Sequence, residues 1–192
     1  GTLFFIDVFN ALLSVPLQVV FGLPAAYNIV VTGCVAWTVF GAWTLSHHVL
    51  RDPLPSAVAA LTYGCAPHLL GQAYNGITET VNAGWLPLYV YALLRTMEHP
   101  RISRGALMGV TLGFCALSNF YYGLFGAVLS VVIVLHQAAV NAWRVRWLPF
   151  VRATGVGACL FGMIVAPVLQ TLGRTMDATD AMVSRDPQFV WE

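Results

Sequence analysis

Apolar runs, most of them close to the roughly 20 residues that an α-helix needs to cross a hydrocarbon core, succeed one another along this chain and are divided by short polar breaks. They cover residues 24–48, 54–70, 83–97, 105–120, 122–142 and 148–172. The breaks are the Arg51-Asp52-Pro53 turn, the polar segment 71–82, the run EHPRISR, the turn at Phe120-Tyr121-Tyr122 and the run WRVRW. The third run is short and is expected to begin inside the preceding loop. Composition agrees: 58% of residues are hydrophobic and 9% charged, against roughly 25% charged in a soluble domain. So few charges cannot cover a soluble surface. The expected fold is all-α: one polytopic transmembrane helical bundle over residues 1–192, with about six spans.

Residues 1–22 nearly reach the length of a span, but Asp7, Asn10 and Pro16 interrupt them. A charge in the hydrocarbon core costs several kcal/mol unless it is paired or wet, so an interfacial or re-entrant helix fits this segment better. Residues 173–192 read as a polar tail on the outer side. The chain opens with Gly and has no basic leader with a cleavage site, and an internal piece of a longer chain is expected.

Orientation follows from the arginines, which supply all nine basic residues. Alternating spans put Arg51, Arg95, Arg101, Arg104, Arg144, Arg146 and Arg152 at one set of ends and only Arg174 and Arg185 at the other. The arginine-rich ends are expected in the cytoplasm. Asp7, Glu79, Asp177, Asp180, Asp186 and Glu192 then fall outside, and Asp52 and Glu98 inside.

Several function classes drop out. A formal charge of +1 leaves no basic surface for a nucleic-acid partner. The four cysteines are single and far apart, with neither a CxxC nor a Cys/His ligand spacing, and read as buried hydrophobes. His47, His48 and His136 sit at inner span ends, where opposed histidines could ligate a haem. No CxxCH exists, and no haem is expected. The small residues of GVTLGFCALS and ATGVGACLFG suit close helix contact.

The segment between the second and third runs carries the most chemistry. It holds His68, Gln72, Asn75, Glu79 and Asn82, with Gly71 and Gly76 permitting unusual backbone. At the mouth of a bundle, Glu79 could bind a divalent cation (Mg or Mn), orient a hydroxyl nucleophile or take its proton. A solvated loop with one ordinary acid is the competing reading. Asp177 and Asp180 could join a metal site; in a polar tail they are more simply solvated.

The run FGLPAAYNIV opening a span, then HHVLRDP, then CAPHLLGQAYNGITETVNAGWLPLYVYALLR, then ALSNFYYGLF at an outer turn resembles bacterial integral-membrane glycosyltransferases of the GT-C superfamily. The resemblance covers most of residues 15–125. It implies a protein of the bacterial cytoplasmic (inner) membrane that takes a sugar from a polyprenyl-phosphate donor and passes it to an acceptor on the outer side. The family's catalytic acid usually lies in the first outer loop. Here Asp7 is the acid left near that position, without the second acid of the usual pair, and Glu79 matches the acidic position of the later loop. Glu79 and Asp7 are therefore the candidate catalytic residues, and His68, Asn75 and Trp85 the candidate substrate-binding residues. A lipid phosphate also needs a basic outer residue, for which Arg174 is the candidate. The expected partners are membrane lipids, the lipid-linked sugar donor and an acceptor. From a different class, a transporter or membrane scaffold would use the polar loop as a gate or contact. It should show charged or broken helices at mid-membrane depth.

Overall fold

The computed structural model describes residues 8–139 and 147–183. Every described element is a helix: α1 (Val8–Phe21), α2 (Leu23–Leu50), α3 (Pro53–Gly64), α4 (Pro67–Tyr74), α5 (Thr78–Val81), α6 (Trp85–Glu98), α7 (Ile102–Ser118), α8 (Phe120–Ala139) and α9 (Trp147–Val183). Local chemistry sets several boundaries. Gly22 turns α1 into α2 at φ 78, a conformation that strains L side chains. Arg51 closes α2 in the left-handed region, and the Asp52 carboxylate then caps α3 by accepting from the Leu54 N–H at 3.0 Å. Pro67 holds Ala66 in an extended conformation and separates α3 from α4.

Side-chain contacts define two ends. At one, His48 near the end of α2 lies 3.0 Å from Glu98 at the end of α6. Arg104 in the first turn of α7 donates to the Arg95 and His99 carbonyls at 3.1 and 3.2 Å. Ala153 of α9 packs on Gly105, which brings Arg152 to the same end. At the other end, Tyr27 of α2 donates to the Ala73 carbonyl at 3.4 Å and Tyr122 of α8 to the Thr80 carbonyl at 2.8 Å. The first is called here the arginine end and the second the amide end. Helix direction alternates as the arginine pattern requires, and α7 and α9 run parallel. Gly105 and Gly109 meet the backbone of Ala153 and Gly157, so close that a Cβ on either glycine would strike a carbonyl.

The span count is lower than expected. Among the described residues, three helices are long and apolar enough to cross a membrane: Leu23–Leu50, Phe120–Ala139 and Leu148–Thr171. They match the first, fifth and sixth runs. The fourth run is α7, 17 residues long, and the third is α6, 14 residues. The second run is not one helix: its apolar character continues through Cys65-Ala66, but the backbone breaks ahead of Pro67 into α3 and α4. Hydropathy is blind to that break. Residues 173–183 of the expected polar tail continue α9. Large apolar side chains stand exposed along α8, including Leu124, Val128, Val131 and Leu135. Apolar surface of that extent on a long helix is what lipid contact requires.

Candidate functional site

The polar segment does not stay at the mouth of the bundle. α4 carries the chain to Tyr74 at the amide end, Gly76 reverses it at φ 79, and α5 leads it back between the helices. It reaches Thr38, about 20 Å along α2 from its first residue. There the Thr38 hydroxyl donates to the Val81 carbonyl at 2.8 Å. Gly84 packs flat against α2, where a Cβ would lie 2.5 Å from the Trp37 carbonyl. α3 ends at the same depth, with Gly64 against Val39, and Tyr63 donates across to the Ala83 carbonyl at 3.4 Å. The α3/α4 break at 65–66 and the α5/α6 break at 82–84 therefore face each other near the middle of α2.

A helix of four residues leaves its last carbonyls without partners. Two hydroxyls answer that need here, Tyr122 at Thr80 and Thr38 at Val81, and a third, Tyr63, donates to the following Ala83 carbonyl, which also accepts from the Leu86 N–H. The segment is thus fixed from α2, α3 and α8 at once.

Beneath it sits a node of neutral polar side chains. The Asn82 amide, 2% exposed, donates to Asn10 Oδ1 of α1 at 3.0 Å and to the Ser118 hydroxyl of α7 at 3.3 Å. The Cys34 thiol donates to the same Asn10 oxygen at 3.4 Å. Asn82 Oδ1 is buried and has no hydrogen-bond partner among the described residues. An orphaned buried acceptor of this kind costs about 1–3 kcal/mol unless water or a ligand fills the position. Next to the node, Trp85 packs on Phe9, Trp37 and Phe114 with ring centroids 4.8–5.4 Å apart.

Asn10 also lines an open cleft of about 230 Å³ between α1, the first turns of α2 and the 76–78 turn. Its polar lining is Asn10, Ser14, Gln18, Tyr27 and Thr78. Gln18 donates to the Ser14 hydroxyl at 2.9 Å, and Ser14 to the Ala11 carbonyl at 2.8 Å. None of the described lining residues is charged.

The residues singled out from sequence are distributed around this structure rather than gathered in it. Glu79 lies in α5, half-buried, next to the cleft residue Thr78. Neither a hydrogen bond nor an ion pair joins it to His68 or Asn75 among the described residues. His68 is exposed in the first turn of α4, and Asn75 is the exposed C-cap of that helix. Trp85 belongs to the aromatic packing, with its indole nitrogen buried. Arg174 is exposed on α9, beyond the Ile164 contact with Gly113 and so toward the amide end. Asp7 lies outside the described residues, as do the side chains of Asp177 and Asp180. Of the histidines, His48 pairs with Glu98, His47 stacks on Trp43 at 5.1 Å, and His136 sits in the last turn of α8.

Ser14 and Gln18 were not among the sequence candidates. The signal was present: Asn10, Ser14 and Gln18 recur every four residues, which makes a polar stripe on a helix. In a segment judged for its ability to span, Asn10 reads only as an interruption. Comparison with known proteins finds no matching family model, no similar curated protein and no similar solved structure.

Proposed function

We propose that this chain is the membrane part of a glycosyltransferase that works at the amide end, taking a sugar from a lipid-phosphate donor. The arginine end then faces the cytoplasm and the amide end the outer side of a bacterial inner membrane. In this reading the bundle crosses about six times, with α3/α4 and α5/α6 as broken crossings. The observation that carries it is the polar segment 78–84, folded in among apolar helices and held by three hydroxyls. Such a seat holds polar headgroups in a set geometry while lipid tails remain outside. The glycosyl chemistry itself rests on the GT-C resemblance of residues 15–125.

Glu79 is the base of this reaction. The acceptor hydroxyl oxygen attacks the anomeric carbon, the carbon–oxygen bond to the donor phosphate breaks, and that oxygen leaves with the electron pair. The hydroxyl proton passes to Glu79. Arg174 is the available outer cation for the phosphate. Among the described residues no three His, Cys, Asp or Glu side chains come together as a metal site. Among the described residues Glu79 would be the protein ligand of a divalent cation, whose remaining ligands would come from the donor phosphate and water. Glu79→Gln in the full-length protein should lower transfer from a labelled polyprenyl-phosphate hexose about 100-fold or more, with unchanged membrane insertion. Unaltered transfer would return Glu79 to an ordinary solvated acid.

The facing breaks at 65–66 and 82–84 favour a second reading, a transporter, since discontinuous helices meeting at mid-depth commonly build solute sites. Proteoliposomes separate the two: transfer leaves the label on a lipid acceptor, whereas transport leaves it free in the lumen.

A further inference from the structure

We propose that the cleft between α1, α2 and the 76–78 turn is the acceptor subsite, and that its ligand is an uncharged polyhydroxyl headgroup on an apolar tail. This deepens the glycosyltransferase reading and rests on it for the word acceptor; the binding claim stands on the cleft itself. Four observations converge. The polar lining consists of amides and hydroxyls, Asn10, Ser14, Gln18, Tyr27 and Thr78, which match the donors and acceptors of a polyol. None of the described lining residues is cationic, so they do not supply the charge that a phosphate needs when it leaves water. Its lining residue Asn10 is held by the buried Asn82 amide, whose Oδ1 has no hydrogen-bond partner among the described residues. Its rim is apolar: Leu23 lines the mouth, and Val15 and Val19 stand exposed on α1, giving a tail a path along the helix.

The register of the chain supplies the link to chemistry. Thr78 lines the cleft and Glu79 follows it, so a hydroxyl held at the Thr78 side is one residue from the proposed base. Phosphate recognition falls to Arg174 at the same end on α9, outside the cleft. Donor and acceptor are thereby separated by charge: a cation for the phosphate and a neutral pocket for the nucleophile.

The test is binding by the full-length protein in an amine-oxide detergent that carries no sugar. The probes are dodecyl β-glucoside, dodecyl phosphate and dodecanol, read by titration calorimetry. The glucoside should bind at least about 10-fold more tightly than either of the others, because only it uses the amide and hydroxyl groups. Gln18→Leu with Ser14→Val should remove about 10-fold of that preference. Both positions are at least partly exposed on α1, so the helix keeps its packing. Val132→Ala on the exposed face of α8, away from the cleft, serves as control and should bind as the parent does. Equal affinity for dodecanol, tighter binding of the phosphate, or a glucoside affinity indifferent to the double variant would each overturn the proposal. Glucoside binding without sugar transfer would instead count against the enzyme reading and leave the subsite standing.

Discussion

The two ends of the bundle use opposite polar chemistry. At the arginine end the ionisable groups stay near water: Glu98 is 44% exposed where it meets His48, and Arg51, Arg101 and Asp52 are exposed. At the amide end the polar groups go inward, and those that do are neutral: Asn10, Asn82 and Ser118 are each 3% exposed or less. The difference follows from the cost of desolvation. A neutral amide with hydrogen-bond partners can be buried at little net cost, whereas an unpaired charge cannot. Polar residues in such a chain are thus sorted by charge: neutral ones can be buried, and charged ones stay near water.

The largest expected effect comes from placing a charge where the amide end tolerates only neutral groups. Asn82→Asp should destabilise the protein by about 3 kcal/mol or more at neutral pH. Burial among neutral partners raises the folded-state pKa of such an aspartate. The deficit is therefore smallest below the unfolded value of about 3.9 and grows as pH rises above it. Thermal midpoints in detergent at pH 4 and pH 7.5 read this directly. A deficit that shrinks toward neutral pH would contradict the burial of Asn82.

Next is the close approach that lets the polar segment reach α2. Gly84→Ala drives a methyl group into the Trp37 carbonyl and Thr38 Cα, 2.5 and 2.8 Å away. Overpacking of that kind should cost about 1–3 kcal/mol, seen as a lowered unfolding midpoint. Tyr122→Phe removes the hydroxyl that serves the Thr80 carbonyl and should cost about 1 kcal/mol. It should also speed proteolysis at residues 74–78 more than at the arginine end.

The smallest effect belongs to the arginine end. Glu98→Gln breaks the His48 pair, and at that exposure it should change stability by less than about 0.5 kcal/mol. A loss as large as that of Asn82→Asp would erase the contrast between the ends.

The contrast was partly legible in the sequence. Arginine spacing and apolar runs were enough for an all-α bundle of alternating direction, because direction depends on charge and span length alone. The breaks were harder. Residues 54–70 are predominantly apolar, and only Gly64 and Pro67, each easily tolerated near a helix end, mark where the helix stops. The depth of Asn82 was hidden for a different reason. Its neighbours Gln72, Asn75 and Glu79 make the segment look like a loop, while Thr38, Tyr63 and Tyr122, which hold it inside, are 20 or more residues in sequence from the carbonyls they bond. Glu79 stood out because it is charged; Ser14 and Gln18 did not, because their importance depends on what α1 packs against.

The inward fold of residues 78–84 is the central claim, and cysteine accessibility tests it most directly. The background is the protein with Cys34, Cys65, Cys115 and Cys159 changed to alanine, probed in intact cells with a membrane-impermeant maleimide. Asn75→Cys, at the exposed end of α4, should label rapidly. Asn82→Cys should label only after denaturation, and Ile102→Cys only after the cells are permeabilised. Labelling of Asn82→Cys in intact cells as fast as Asn75→Cys would contradict the account, because residues 78–84 would then be a loop at the surface.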